Sequence, residues 1–273
     1  MSNLAQFNST ITNVRTQNYL TQVLGEKKSV FVNNITALVS NSASLQECDP
    51  LSVLYAGIKA TALDLPLDPN LGFAYVIPFR DNKAGKTVAQ FQLGYKAFIQ
   101  LAMRSGQFKT INVREVKEGE IVNEDFVSGE IQFRILANNR EDAKTVGYVA
   151  FFRLVNGFEK MIYMCNDKLE RHGKKFSQTF KKGYGLWKDD FESMARKTVL
   201  KMLLSRYAPL SVEMQTAIKS DQAVISEKGE IYVDNQIEIE TNQKASEIIG
   251  KAFEEIEDAK EENEPELFSE EEK

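Results

Sequence analysis

Histidine and cysteine are nearly missing from this chain of 273 residues: His172 is the only histidine, and Cys48 and Cys165 are the only cysteines. The cysteines lie far apart and neither belongs to a CxxC pair, which argues against a disulfide framework or a Cys/His zinc site. A hydrolase triad would have to use His172, which sits in a basic stretch with no Ser-Gly elbow nearby. No run approaches the apolar length of a membrane span, and the start, Met1-Ser2-Asn3-Leu4-Ala5-Gln6, lacks a basic segment followed by an apolar one. The expectation is a cytoplasmic protein with one large domain, or one domain and an appendage.

A phosphate-gripping loop is missing too. Gly85-Lys86-Thr87 is the only suggestive fragment, but Arg80 occupies the place of the first glycine, and the stretch joins two strands instead of leading from strand to helix. A divalent-metal nuclease would need converging carboxylates. The nearest candidate is Glu115-Val116-Lys117, with Asp81 as a distant partner; this is kept as an alternative. No metal or other cofactor is expected.

Charge is present, and it is sorted. The net charge is −5, yet residues 221–273 hold 18 acidic and 5 basic side chains, leaving 29 basic and 21 acidic in residues 1–220. Between Cys165 and Arg206, eleven Lys/Arg face five Asp/Glu. A basic body with an acidic tail suits a polyanion, and nucleic acid is the commonest one.

The punctuation predicts an α+β fold, an antiparallel sheet of hairpins packed with helices, with an acidic helical C-terminal appendage. Helical spacing runs over 27–45, and Asp49-Pro50 opens a second helix as N-cap and first-turn proline. Turn residues at 68–72 and 81–85 bracket two strands, 73–77 and 88–93, that form a hairpin. Residues 94–104 return to helical period, and further strands are predicted over 108–117, 130–136, 145–155 and 158–165. Asn156-Gly157 joins the last two as a tight turn with φ > 0 at both positions. A short helix over 166–175, a basic glycine-containing loop and a long helix over 187–206 follow, and Pro209 ends the pattern. Residues 1–210 are thus expected to form the core, 211–242 a flexible acidic linker, and 243–273 an amphipathic acidic helix with a disordered end.

Leu93 to Gly106, LGYKAFIQLAMRSG, resembles the GYKGLIxLAxRSG segment of the RecT family of phage single-strand annealing proteins. Leu65 to Phe79, LPLDPNLGFAYVIPF, is similar to that family's LDPxLGxAYxVPF block, and Gly185-Leu186-Trp187, Met194 to Thr198 and Pro209-Leu210-Ser211 to its GPW…MAxKT…LPLS block. Leu186 departs from the family's usual proline. The resemblance implies a recombinase that binds single-stranded DNA and holds the annealed duplex without ATP, as a homo-oligomeric ring or filament in a bacterial host cell. It implies no covalent chemistry. The acidic tail lies outside the resemblance and is expected to dock protein partners, such as a companion phage exonuclease or the host single-strand-binding protein. An autoinhibitory tail that mimics DNA, and a passive coating module, are the competing ideas.

Pairing two strands requires both phosphate backbones to be neutralised while base edges stay free. Lys96 and Arg104 on one signature helix and Arg196, Lys197 and Lys201 on the other are the leading phosphate ligands. Lys174, Lys175, Lys181 and Lys182 on the flanking basic segment come next, followed by Lys109, Arg114 and Arg206. The aromatics Tyr95, Phe98, Trp187 and Phe191 lie on apolar stripes and are expected in the core.

Overall fold

A computed structural model describes residues 3–231, apart from residues 82–83, 126, 137–138 and 227–228. The predicted amphipathic helix of the tail and the acidic end therefore lie outside the described residues. In chain order the elements are α1 (Asn3–Thr12), α2 (Val14–Leu24), α3 (Lys28–Ser40), α4 (Ala43–Gln46), α5 (Pro50–Ala62), β1 (Ala74–Asp81), β2 (Lys86–Leu93) and α6 (Tyr95–Arg104). There follow β3 (Phe108–Lys117), β4 (Ile121–Glu124), β5 (Ile131–Phe133), β6 (Thr145–Leu154), β7 (Glu159–Cys165), α7 (Asn166–Phe176), α8 (Gln178–Lys181) and α9 (Leu186–Asp189). The series ends with α10 (Phe191–Tyr207), α11 (Val212–Ser220), β8 (Val224–Ser226) and β9 (Gly229–Ile231). All pairing among the described strands is antiparallel, as the α+β expectation requires.

Hairpins of strands adjacent in sequence make most of the sheet structure, and β3 pairs with β6 across the connection that holds β4 and β5. β1 and β2 pair from Ala74↔Leu93 to Asp81↔Lys86. β6 stands between β3 and β7. Its alternation turns Tyr148, Ala150, Phe152 and Leu154 into the core, where α10 packs on them. The β6–β7 turn differs from the two-residue form expected of Asn156-Gly157. Only Gly157 has positive φ, +89°. The Leu154 carbonyl accepts from the Gly157 N–H at 3.1 Å, and the Leu154 N–H donates to Phe158 O at 2.8 Å. This is a three-residue loop, a type I turn closed by a left-handed glycine.

Helix ends follow their capping residues. The Asp49 carboxylate accepts from the Leu51 N–H, with Pro50 in the first turn. The Asp49 N–H donates to Thr87 O, and Ser52 Oγ accepts from the Ala89 N–H, so the start of α5 is tied to β2. The helix expected over 187–206 is broken at Asp190, whose carboxylate accepts from the Ser193 N–H and begins α10 afresh.

Residues 211–231 are not the linker that the sequence suggested. Ser211 caps α11 by accepting from the Met214 N–H, and Met214 and Ala217 are buried. The chain then joins the edge of β2: the Phe91 N–H donates to Ala223 O, and the Gln222 N–H donates to Phe91 O, both at 2.9 Å. An acidic average over residues 211–273 concealed apolar pieces too short to show a period. The folded body thus continues past Leu210 to the end of the described residues, and only 232–242 of the predicted linker lie beyond them.

Candidate nucleic-acid interface

The basic residues fall into two populations. On α7, α8 and the following loop, Lys174, Lys175, Lys181 and Lys182 are exposed, and Lys168, Arg171 and Lys188, not singled out from sequence, are exposed beside them. Trp187 anchors this region. It is buried, stacks on Phe180 at 5.7 Å and meets Phe191 edge-on. A Cβ on Gly173 would lie 2.8 Å from the Trp187 ring, so α7 needs glycine there to let the indole approach. Lys174 reaches Glu170 one turn earlier, and Lys175 Nζ stands 4.7 Å above the Phe176 ring.

The second population is neutralised inside the molecule. α10 is buried nearly all round, with Met194, Ala195, Lys197, Thr198, Val199, Leu200, Leu203 and Leu204 inaccessible. Lys197 is 5% exposed, and its Nζ donates to Asp221 Oδ1 at 2.7 Å. Lys201 Nζ donates to the other oxygen, Oδ2, at 2.8 Å. Burial pushes the Asp221 carboxyl up, but the two ammoniums outweigh it and hold it below the ordinary carboxylate range. Burial pushes the Lys197 ammonium down, a loss that Asp221, shared with Lys201, does not make good.

Arg196 is likewise occupied. It donates to Glu115 Oε2 at 2.9 Å and to Glu192, and its guanidinium lies over the Tyr95 ring at 5.9 Å. Arg140, from the loop before β6, holds the other Glu115 oxygen at 2.8 Å and reaches Glu120 Oε1 at 2.6 Å. Burial raises both carboxyls, and the guanidiniums outweigh it and hold them low. Glu115 is therefore bonded on each oxygen to a cation, the reverse of carboxylates converging on a metal. Asp81 caps the turn after β1 by accepting from the Ala84 N–H, and Lys117 Nζ donates to Thr145. Among the described residues, no group of three or more His, Cys, Asp or Glu side chains is placed to hold a metal ion.

Arg104 closes the end of α5: its guanidinium donates to Leu63 O at 2.9 Å and Asp64 O at 2.7 Å. Lys96 is exposed, with Nζ 3.3 Å from Leu71 O. Lys109 and Arg114 are exposed on β3, and Arg206 is exposed near the C-terminal end of α10. The structure thus leaves Lys174, Lys175, Lys181 and Lys182 exposed on the adjoining α7, α8 and the loop after them, and engages Arg104, Arg196 and Lys197 in internal contacts. Of the expected aromatics, Phe98 and Trp187 are buried, whereas Tyr95 and Phe191 are half-buried. Asp221, Glu115 and Arg140 organise these cations; Asp221 and Arg140 were not singled out from sequence, and Glu115 was read there as a possible nuclease carboxylate, not as an anchor for arginine. Their partners are separated by 20 to 81 residues, so no local motif could show them.

These features define an α+β protein with a lysine-rich surface in its C-terminal half. A profile of the RecT family matches residues 29–241, and the chain belongs to that family. It is 44% identical over 197 residues to the "Uncharacterized protein YqaK" of Bacillus subtilis, covering 72% of this chain and 65% of that protein. It is 31% identical over 191 residues to "Protein RecT" of Escherichia coli, covering 68% of each. The chain thus spans just under two thirds of the length of YqaK. No helix among the described residues is long and apolar enough to cross a membrane.

Proposed function

We propose that this protein anneals complementary single strands of DNA without ATP, working as an oligomeric ring or filament. The observation that carries this reading is the exposed lysine cluster of α7, α8 and the loop to Lys188, which lies inside the segment matched to the RecT family. Two bare strands repel through their phosphates. A surface of ammonium groups lowers that barrier for any sequence and leaves the pairing edges untouched. Burial of the signature aromatics Phe98 and Trp187 favours backbone contact over base stacking. Lys181, Lys182 and Lys174 are the first candidates for phosphate contact, with Lys96, Lys109, Arg114 and Arg206 behind them.

The test is to mix complementary fluorescent strands with the protein, without nucleotide or divalent metal. Faster pairing than in protein-free controls is expected. Binding without acceleration would make the protein a passive coating module, and degradation of the strands on adding magnesium would make it a nuclease. The acidic tail is proposed to dock protein partners of recombination, such as an exonuclease or a single-strand-binding protein. Truncation after Ile231 tests this: unchanged DNA binding with a lost partner supports docking, whereas tighter DNA binding supports autoinhibition.

A further inference from the structure

Two lysines one turn apart on α10 share a single carboxylate. Asp221 is 2% exposed. Its Oδ1 accepts from Lys197 Nζ at 2.7 Å and from the Leu93 N–H of β2 at 3.0 Å, and its Oδ2 accepts from Lys201 Nζ at 2.8 Å. Ionised, the three side chains carry a net charge of +1. In a region with little water an unbalanced charge is costly, and a nearby anion would relieve it.

Only one member of the cluster can meet such an anion. The Lys197 side chain is 6% exposed and that of Lys201 is 27% exposed. An ammonium has three donors, and the contact with Asp221 uses one. On the α7 side, His172 feels the charge of Lys201 and supplies no negative charge to balance it. Burial, and then the charges of Lys201 and Lys175, push His172 down to about 4, so it stays neutral at neutral pH. Its ring is held between Phe176 and Trp187, with centroids 4.6 and 6.4 Å away. Lys201 therefore stands at the border between the buried cluster and solvent, on the side where His172 and Lys175 of α7 lie.

We infer that Lys201 is a phosphate ligand of the α7–α10 surface, and that Asp221, contributed by the chain beyond α10, is the positioning residue that holds its ammonium there. Lys197 completes the arrangement from inside: by taking half of the carboxylate, it prevents Asp221 from cancelling the charge of Lys201. This inference rests on the reading of the protein as one that binds single-stranded DNA.

The experiment is a salt series of single-strand binding, using a fluorescent oligothymidine and the full chain, with thermal unfolding measured on the same samples. Lys201→Gln is expected to weaken binding several-fold and to reduce the slope of log affinity against log salt by about 0.7, the value for one single-strand phosphate contact. The double variant Lys197→Met/Asp221→Asn replaces the buried ion pair and keeps an oxygen acceptor for the Leu93 N–H. It turns an amide toward Lys201, so the ammonium is released. It is expected to fold and to show the same loss of affinity and slope as Lys201→Gln. A purely structural Asp221 would shift the unfolding temperature and leave the slope alone.

Unchanged binding by Lys201→Gln, or by the folded double variant, overturns the inference. If the double variant fails to fold, Asp221→Glu, which keeps the charge and displaces it by one methylene, takes its place with the same criterion. Failure of the unsubstituted protein to bind the oligonucleotide would overturn the functional reading itself.

Discussion

α10 and the α7–α8 surface look alike in sequence and behave differently in the structure. Each is rich in lysine and arginine and each belongs to the segment that matches the family. On α10 the cations at 196, 197 and 201 are bound to Glu115, Glu192 and Asp221, and they tie the helix to β3 and to the C-terminal strap, residues 211–223, that carries α11 and Asp221 and pairs with Phe91 of β2. On α7 and α8 the lysines are exposed, and even the pair of Lys174 with Glu170 lies in water. A positive charge that is already neutralised releases no counterions when a phosphate arrives, and one facing water does. Basic residues of the first kind therefore act on stability, those of the second on DNA affinity, and Lys201 belongs to both.

The largest effect that would test this contrast is on folding. Truncation after Leu210 removes α11 and Asp221, leaves Lys197 buried without a counter-charge and strips the edge of β2. Leaving one partner of a buried ion pair uncompensated costs about 3–5 kcal/mol, so this fragment is expected to lose its cooperative unfolding transition. Truncation after Ile231 keeps the strap and is expected to stay within about 0.5 kcal/mol of the full chain in chemical denaturation. If the shorter fragment unfolds like the full chain, the strap is no part of the body.

The same strap shows why part of the molecule was legible and part was not. β3 was bounded correctly, and α6 was placed within a residue, because alternation and helical period are local. Asp190 starts the long helix one turn later than expected, since a cap inside an apolar pattern reads as a surface residue. The helices α1 and α2 were missed because Asn, Thr, Ser and Gln dominate them, although Phe7, Ile11, Leu20 and Leu24 reach the core. Lys197 was expected at the surface. It is buried because Asp221, 24 residues away, waits for it, and no spacing rule carries that information.

His172 offers a second test of the buried side. Its folded pKa, about 4, lies below the ordinary 6.5, so between these values the unfolded chain binds more protons than the folded one. The contribution of the neutral ring is intact above about 6.5 and is lost as pH falls toward 4, amounting to roughly 3 kcal/mol over the full window. Urea unfolding at pH 7 and pH 5 should show this fall, and His172→Gln should flatten it. An identical pH dependence in both proteins would mean that the ring is not sheltered between α7 and Trp187. Glu115 acts in the same direction at lower pH, because its folded pKa is held down and its stabilisation disappears as pH falls through that value. Glu115→Gln weakens the anchoring of both Arg140 and Arg196 and is expected to cost about 1–3 kcal/mol, with DNA affinity per folded molecule unchanged.

The smallest effect on stability should accompany a clear effect on binding. Lys181, the last residue of α8, and Lys182, the first of the loop that leads to Trp187, are exposed. Replacing exposed lysines with glutamine alters stability by at most about 0.5 kcal/mol. If both meet phosphate, the paired substitution Lys181→Gln/Lys182→Gln lowers the salt slope for a single strand by about 1.4, twice the value for one contact. The loss should be equal for oligothymidine and for mixed sequences, because a phosphate contact carries no base information. A wild-type slope in this variant, beside a reduced slope in a Lys96→Gln or Arg114→Gln control, would move the interface from α7–α8 to the surface of α6 or β3. The division between buried and exposed cations would survive that result, and the location of the strand would change.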